Sequence, residues 1–165
     1  MFFFKQNKQV VFDKLYQEHH SKVRGVLYRM LLENAKPEIL DELEQEVFIK
    51  AWKSMGAFEF KSKVGTWLYR ISVNTAIDYL RKQKIQPIPL DENLLKDEKK
   101  DTHDIQLDVT KLLMNLDEKH RAVLILHYFE DKSIKEISTI LEVQLGTVKS
   151  RLNNARKKAE ALYER

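Results

Sequence analysis

The sequence contains no cysteine, which removes disulfides, thiolate metal sites and a cysteine nucleophile at once. Only 4 glycines and 3 prolines occur in 165 residues, too little turn chemistry for a fold of many short strands. No uninterrupted apolar stretch approaches the roughly 20 residues of a bilayer-crossing helix. The opening MFFFKQNKQVV holds an apolar run too short for a signal peptide, followed by Lys5 and Lys8. HExxH, P-loop, GxGxxG and GxSxG patterns are all missing. The histidines form no ligand set: His19 and His20 are adjacent and diverge on a helix, and His103 stands in a polar stretch. His120 and His127 lie two turns apart, about 10 Å by helix rise, too far to share an ion. These absences predict an almost wholly helical, soluble, cytoplasmic chain with no metal, no cofactor, no membrane insertion of its own and no enzymatic activity. What is present is 43% hydrophobic residues, material for one medium core or two small ones. Lys and Arg number 29 against 25 Asp and Glu, a net charge of +4 that permits a polyanionic partner without proving one.

The most informative stretch is Ser133–Ala159, SIKEISTILEVQLGTVKSRLNNARKKA. Ile134, Ile137 and Leu141 mark one face of a short helix, and Ser133 with Glu136 forms a capping box at its start. After a break short enough only for a tight turn, Val148, Leu152, Ala155, Ala159 and Leu162 mark a second helix. Opposite that stripe fall Ser150, Asn153, Asn154 and Lys157, flanked by Thr147, Lys149 and Arg151. Amides, hydroxyls and cations without a carboxylate suit phosphate oxygens and base edges. The pair reads as a helix-turn-helix whose recognition helix is Leu145–Lys158. Periodicity alone leaves a plain amphipathic hairpin with a solvated basic face open as the lesser alternative.

Upstream, Phe12, Leu15, Tyr16, His19, Val23, Val26, Leu27, Met30 and Leu31 recur at helical spacing between Val11 and Leu32, with Gly25 inside as a mark of close helix packing. Pro37 suits the first turn of the next helix, Glu38–Met55, whose apolar line is Leu40, Leu43, Val47 and Ala51. Asp41, Glu42, Glu44, Gln45 and Glu46 crowd its other side, which the helix dipole alone would explain. A loop carries Phe58 and Phe60 among Lys61 and Lys63. In the helix Thr66–Lys84, Leu68, Ser72, Ala76, Tyr79 and Leu80 face inward while Arg70, Asn74, Asp78 and Arg81 line the other side. An Asp in such a row needs a cation or a base amino group as partner; an intrahelical Arg–Asp pair is the plain alternative. Residues 87–108 follow Pro87 with acids in excess and sparse apolar residues, the composition of a linker. The predicted architecture is all-α: a domain over 1–86, a flexible acidic linker over 87–108, and a helix-turn-helix domain over 109–165, the last near the lower size limit for independent stability.

The order of residues from Leu116 onward resembles the second DNA-binding region of bacterial sigma factors, above all the extracytoplasmic-function (ECF) group of the sigma-70-like family. The resemblance is carried by Leu116-Asp117, Arg121, Tyr128-Phe129-Glu130, Ser133, Glu136-Ile137-Ser138, Leu141 and the unbroken Gly146-Thr147-Val148-Lys149-Ser150-Arg151-Leu152. TWLYRISVNTAIDYLRKQK at Thr66–Lys84 and DELEQEVFIKAW at Asp41–Trp52 resemble the same family's N-terminal region. The resemblance implies a promoter-specific initiation factor that binds core RNA polymerase through its clamp coiled coil and flap. Asp41, Glu44, Gln45 and Phe48 would then face the clamp. Phe58, Phe60, Lys61, Lys63, Arg70, Asn74, Asp78 and Arg81 would meet the −10 element, where aromatic stacking holds an unpaired base. Thr147, Lys149, Ser150, Arg151, Asn153, Asn154 and Lys157 would read the −35 element. Promoter DNA and an anti-sigma factor are the implied partners.

Three positions depart from the family pattern. Asp117 replaces a common proline and caps a helix equally well. Glu142 stands in the turn where glycine is common, at a cost of about 1 kcal/mol if that residue is left-handed. Asn153 and Asn154 replace an aromatic or Arg and alter the −35 preference. Two competing readings remain: a helix-turn-helix regulator that acts without docking on polymerase, and a helical polymerase-binding adaptor.

Overall fold

The computed structural model describes residues 2–57, 63–85 and 103–163, and every described element is helical. The N-terminal helices are α1 (Phe2–Leu31), α2 (Pro37–Ser54) and α3 (Val64–Ile85). The C-terminal ones are α4 (His103–Met114), α5 (Glu118–Leu124), α6 (Ile134–Leu141) and α7 (Leu145–Tyr163). Two differences from the sequence reading stand out. No helix breaker precedes Val11, so α1 begins at Phe2. Helix α4 begins at His103, inside the stretch read as linker.

Local chemistry accounts for the helix ends. Lys36 is extended (φ −63°, ψ 144°), as a residue before proline should be, and Pro37 opens α2. Asp117 caps α5 by accepting from the Lys119 and His120 amides, both at 3.1 Å. At α6 the capping box is complete: the Ser133 amide donates to Glu136 Oε2 at 3.0 Å, and the Glu136 amide donates to Ser133 Oγ at 3.2 Å. Those amide and hydroxyl donors from Ser133 hold the Glu136 carboxyl below its usual range. Helix α5 runs on into a single π-helical segment, Ile125–Phe129. At Gly25 the close neighbour is not another helix: a Cβ there would stand 3.0 Å from the Arg29 guanidinium on the same helix.

The apolar faces of both groups merge into one interior. Leu27, Met30, Val47, Leu68 and Val73 belong to the same buried cluster as Leu116, Ile125, Ile137, Val148 and Leu152. Polar bonds stitch the seam. Tyr69 Oη donates to Glu130 Oε2 at 2.7 Å, and Arg29 Nη1 reaches Glu130 Oε1 at 3.4 Å. Arg121 Nη1 donates to the Met30 carbonyl at 2.6 Å, and Lys84 pairs with Glu118. Burial, then the Glu130 carboxylate, push the Tyr69 phenol up, so it stays a donor.

Candidate nucleic-acid interface

Helix α7 presents the face that its sequence predicts. Val148, Leu152 and Ala155 are buried, which turns Lys149, Ser150, Asn153, Asn154 and Lys157 outward. None of these five is engaged by a side-chain hydrogen bond or ion pair among the described residues. Thr147 and Arg151 are half-buried at the edge of this face. The turn before α7 is held by the Ser138 hydroxyl, which donates to the Val143 carbonyl at 2.6 Å, and by the Val143 amide returning to Ser138 O at 3.1 Å. Cations and neutral donors on a rigid helix, with the apolar side locked by packing, can meet phosphates and base edges together.

The polar row of α3 is divided. Asn74, Asp78 and Arg81 are exposed, and Lys63 is exposed just before the helix. Asn74, Asp78 and Arg81 line a cleft whose opposite wall holds Leu141, Val143 and Arg151. Arg70 departs from the solvent-facing row, because its guanidinium reaches the end of α6 instead. The Arg–Asp pair open to Asp78 is not formed among the described residues. Phe58, Phe60 and Lys61 lie outside the described residues.

The acidic side of α2 forms a groove with α1. Its lining includes Phe12, Tyr16, Phe48 and Trp52, with Asp41, Glu44, Gln45 and Ile49 around them. Phe48 is only 5% exposed and forms the floor, edge-on to Phe12 and Tyr16 at centroid distances of 6.2 and 4.7 Å. Glu44 is 8% exposed and is claimed by Arg24, whose Nη1 donates to Glu44 Oε2 at 2.8 Å and Asp41 Oδ1 at 2.6 Å. Hydrogen bonding to Glu44, then to Asp41, pushes the Arg24 pKa up. Gln45 and Asp41 remain exposed on the rim, and Ile49 is a 51% exposed apolar residue beside them. The sequence reading missed Phe12, Tyr16 and Trp52 as groove residues. Their signal was an aromatic pair at i, i+4 on each of two adjacent helices.

Among the described residues no group of acidic and histidine side chains could hold a metal ion, and no helix is long and apolar enough to cross a membrane.

Residues 15–85 match the family described as Sigma-70 region 2, and residues 106–158 match Sigma-70, region 4. The chain therefore carries the two-region arrangement of sigma-70-type factors. It is 32% identical over 172 residues to the ECF RNA polymerase sigma-E factor of Haemophilus influenzae, covering 94% of this chain and 88% of that protein. It is 27% identical over 168 residues to the ECF RNA polymerase sigma factor SigW of Bacillus subtilis, covering 92% and 88%. The chain belongs to the ECF sigma factors. Among solved structures, it is similar to the sigma factor RpoE crystallised with the anti-sigma factor NepR from Bartonella quintana. There the TM-score is 0.63 at 25% identity, with 99% and 98% coverage. The fold is also that of CnrH, solved in complex with the cytosolic domain of CnrY, with a TM-score of 0.71 at 22% identity and coverage of 94% and 89%.

Proposed function

We propose that this ECF sigma factor binds core RNA polymerase through the α1–α2 groove and directs initiation by reading two promoter elements with two separate helical faces. The observation that carries the proposal is the outward face of α7, where Lys149, Ser150, Asn153, Asn154 and Lys157 stand exposed and unengaged among the described residues. With Thr147 and Arg151 at its edge, this face serves the −35 duplex in the major groove. Asn74, Asp78 and Arg81, with Lys63, Arg70, Phe58, Phe60 and Lys61, serve the melted −10 element.

In the docking groove, Asp41 and Gln45 supply the polar rim, Phe48 the aromatic floor, and Glu44 sets the rim's charge through Arg24. A helical partner laid into an aromatic groove with an acidic edge is the helix-in-groove mode, and a basic clamp helix complements it. The C-terminal helices meet the polymerase flap. The function needs no catalysis by the chain's own residues, and it places the protein in the cytoplasm, where polymerase works. An anti-sigma factor is the natural antagonist, because both DNA-facing surfaces and the groove are open to masking.

Run-off transcription with purified core polymerase and genomic promoter fragments tests the proposal. Defined transcripts that need both core and this chain are the expected result. DNA binding without polymerase dependence, or core binding without transcripts, contradicts it.

A further inference from the structure

Arg70 belongs to the α3 row assigned to the −10 element, yet all three of its donor groups are turned to the end of α6. Nε donates to Ile140 O at 3.1 Å, Nη2 to Thr139 O at 2.7 Å, and Nη1 to Glu142 Oε1 at 2.7 Å. The two carbonyls sit at the last turn of a helix, the end that carries partial negative charge. The carboxylate adds a full charge beside them. Two partly negative oxygens and one anionic oxygen, spaced to meet a planar guanidinium, are what a DNA phosphate offers an arginine.

Glu142 itself points the same way. It closes α6 in the left-handed region, at φ 54° and ψ 43°, where glycine is free of strain. The cap needs only its backbone, because the Glu142 amide donates to Ser138 O. The side chain adds nothing to the turn and pairs with Arg70 instead. A residue that strains its own cap and spends its carboxylate on a helix 72 positions away is tied to the seam between the two groups of helices. That seam is also the cleft between Asn74, Asp78 and Arg81 on one wall and Arg151 on the other.

We propose that the end of α6 is an internal phosphate mimic. The Thr139 and Ile140 carbonyls and the Glu142 carboxylate hold Arg70 in the DNA-free chain, keep α3 against the helix-turn-helix, and must be displaced before Arg70 meets DNA. This rests on the assignment of the α3 row to DNA. The apparent DNA affinity of the free chain is then lowered by the fraction of molecules in which the seam is open. Glutamate at 142 is a device for keeping that fraction small.

The absence of native cysteine makes the test clean. Lys53 on α2 and Lys135 on α6 are both exposed, so Lys53→Cys and Lys135→Cys accept a donor and an acceptor dye on the full chain. Energy transfer is compared in this background with Glu142, Glu142→Gly and Glu142→Gln. Affinity for a mixed-sequence 20-nucleotide single-stranded DNA is measured in parallel at low salt. Transfer is expected to fall in both variants, and DNA affinity to rise about fivefold or more, the scale of a coupled equilibrium. Adding Arg70→Ala is expected to abolish the gain. Unchanged transfer in both variants overturns the proposal, as does lower transfer without tighter binding, or a gain that survives Arg70→Ala. Wild-type transcription with core is scored alongside. Its failure sinks the sigma reading on its own, while a fall in transfer in the variants still supports the contact.

Discussion

Arg121 allows a stability prediction to be worked from geometry. Its guanidinium donates to three backbone carbonyls: Nε to Leu113 at 2.9 Å, Nη2 to Leu116 at 3.0 Å and Nη1 to Met30 at 2.6 Å. Met30 lies in the last turn of α1, and Leu113 and Leu116 lie in and just after the last turn of α4. Carbonyls at a helix end lack the full helical set of amide donors, Leu113 O keeping the Leu116 amide at 3.2 Å, and a cation at two helix C-termini serves both. Burial pulls the Arg121 pKa down against the opposing pull of Glu118 and Asp117, without discharging an arginine. A hydrogen bond to a charged donor contributes about 1.5–3 kcal/mol, and a buried acceptor left alone loses about 1–3 kcal/mol. The three bonds share one side chain and are not additive, and water reaches part of this half-buried site. Arg121→Met, which keeps the apolar stem, is therefore expected to cost about 3 kcal/mol. At a urea m-value of about 2 kcal/mol/M, the unfolding midpoint falls by roughly 1.5 M. Arg121→Lys recovers less than half of this, because an ammonium lacks the planar fork. Equilibrium urea unfolding followed by circular dichroism gives the answer. A midpoint shift below about 0.3 M at unchanged m would refute the claim that one guanidinium caps two helices.

Three further predictions follow from the proposed faces and caps. Gln45→Ala should weaken binding to core polymerase, read by competition with a labelled wild-type chain, while leaving duplex DNA binding untouched; equal core affinity removes Gln45 from the groove's contacts. Arg151→Ala should lower promoter affinity and reduce the slope of log affinity against log salt by about one unit, the release of one phosphate's counterion. An unchanged slope means Arg151 touches no phosphate. Burial raises the Asp117 pKa, but hydrogen bonds from the His120 side chain and amide, then from the Lys119 amide, outweigh it and leave it below the ordinary aspartate value. A depressed folded-state pKa stabilises above the unfolded value and is lost as pH falls through the folded one. Asp117→Asn keeps the cap, so its stability deficit should be present at neutral pH and vanish in acid, below the ordinary aspartate range. A deficit independent of pH in acid unfolding curves contradicts this.

Much of the fold was legible because helix caps and apolar periods are local. Ser133 with Glu136, Asp117 and Pro37 sit where their sequence context puts them. Val148, Leu152 and Ala155 orient α7 unambiguously, since a buried stripe at that spacing leaves one face for solvent. The seam was not legible. Periodicity says which side of α3 is polar, but not whether an arginine on that side meets water, DNA or carbonyls 69 and 70 positions away. The sequence equally cannot tell that Phe48 forms the floor of a groove and that Glu44 is buried against Arg24, because that depth is set by Phe12, Tyr16 and Arg24 on the neighbouring helix. Glu142 was visible as a misfit in its turn. Its partner became visible only when α3 and α6 were brought together.

The most direct test of the central claim is permanganate reactivity of thymines in the −10 region of a promoter found by run-off transcription. The account predicts reactive, unpaired thymines only when core polymerase and this chain are both present, and their loss when the chain is omitted. Thymines that stay unreactive although the chain holds both core and duplex would contradict it.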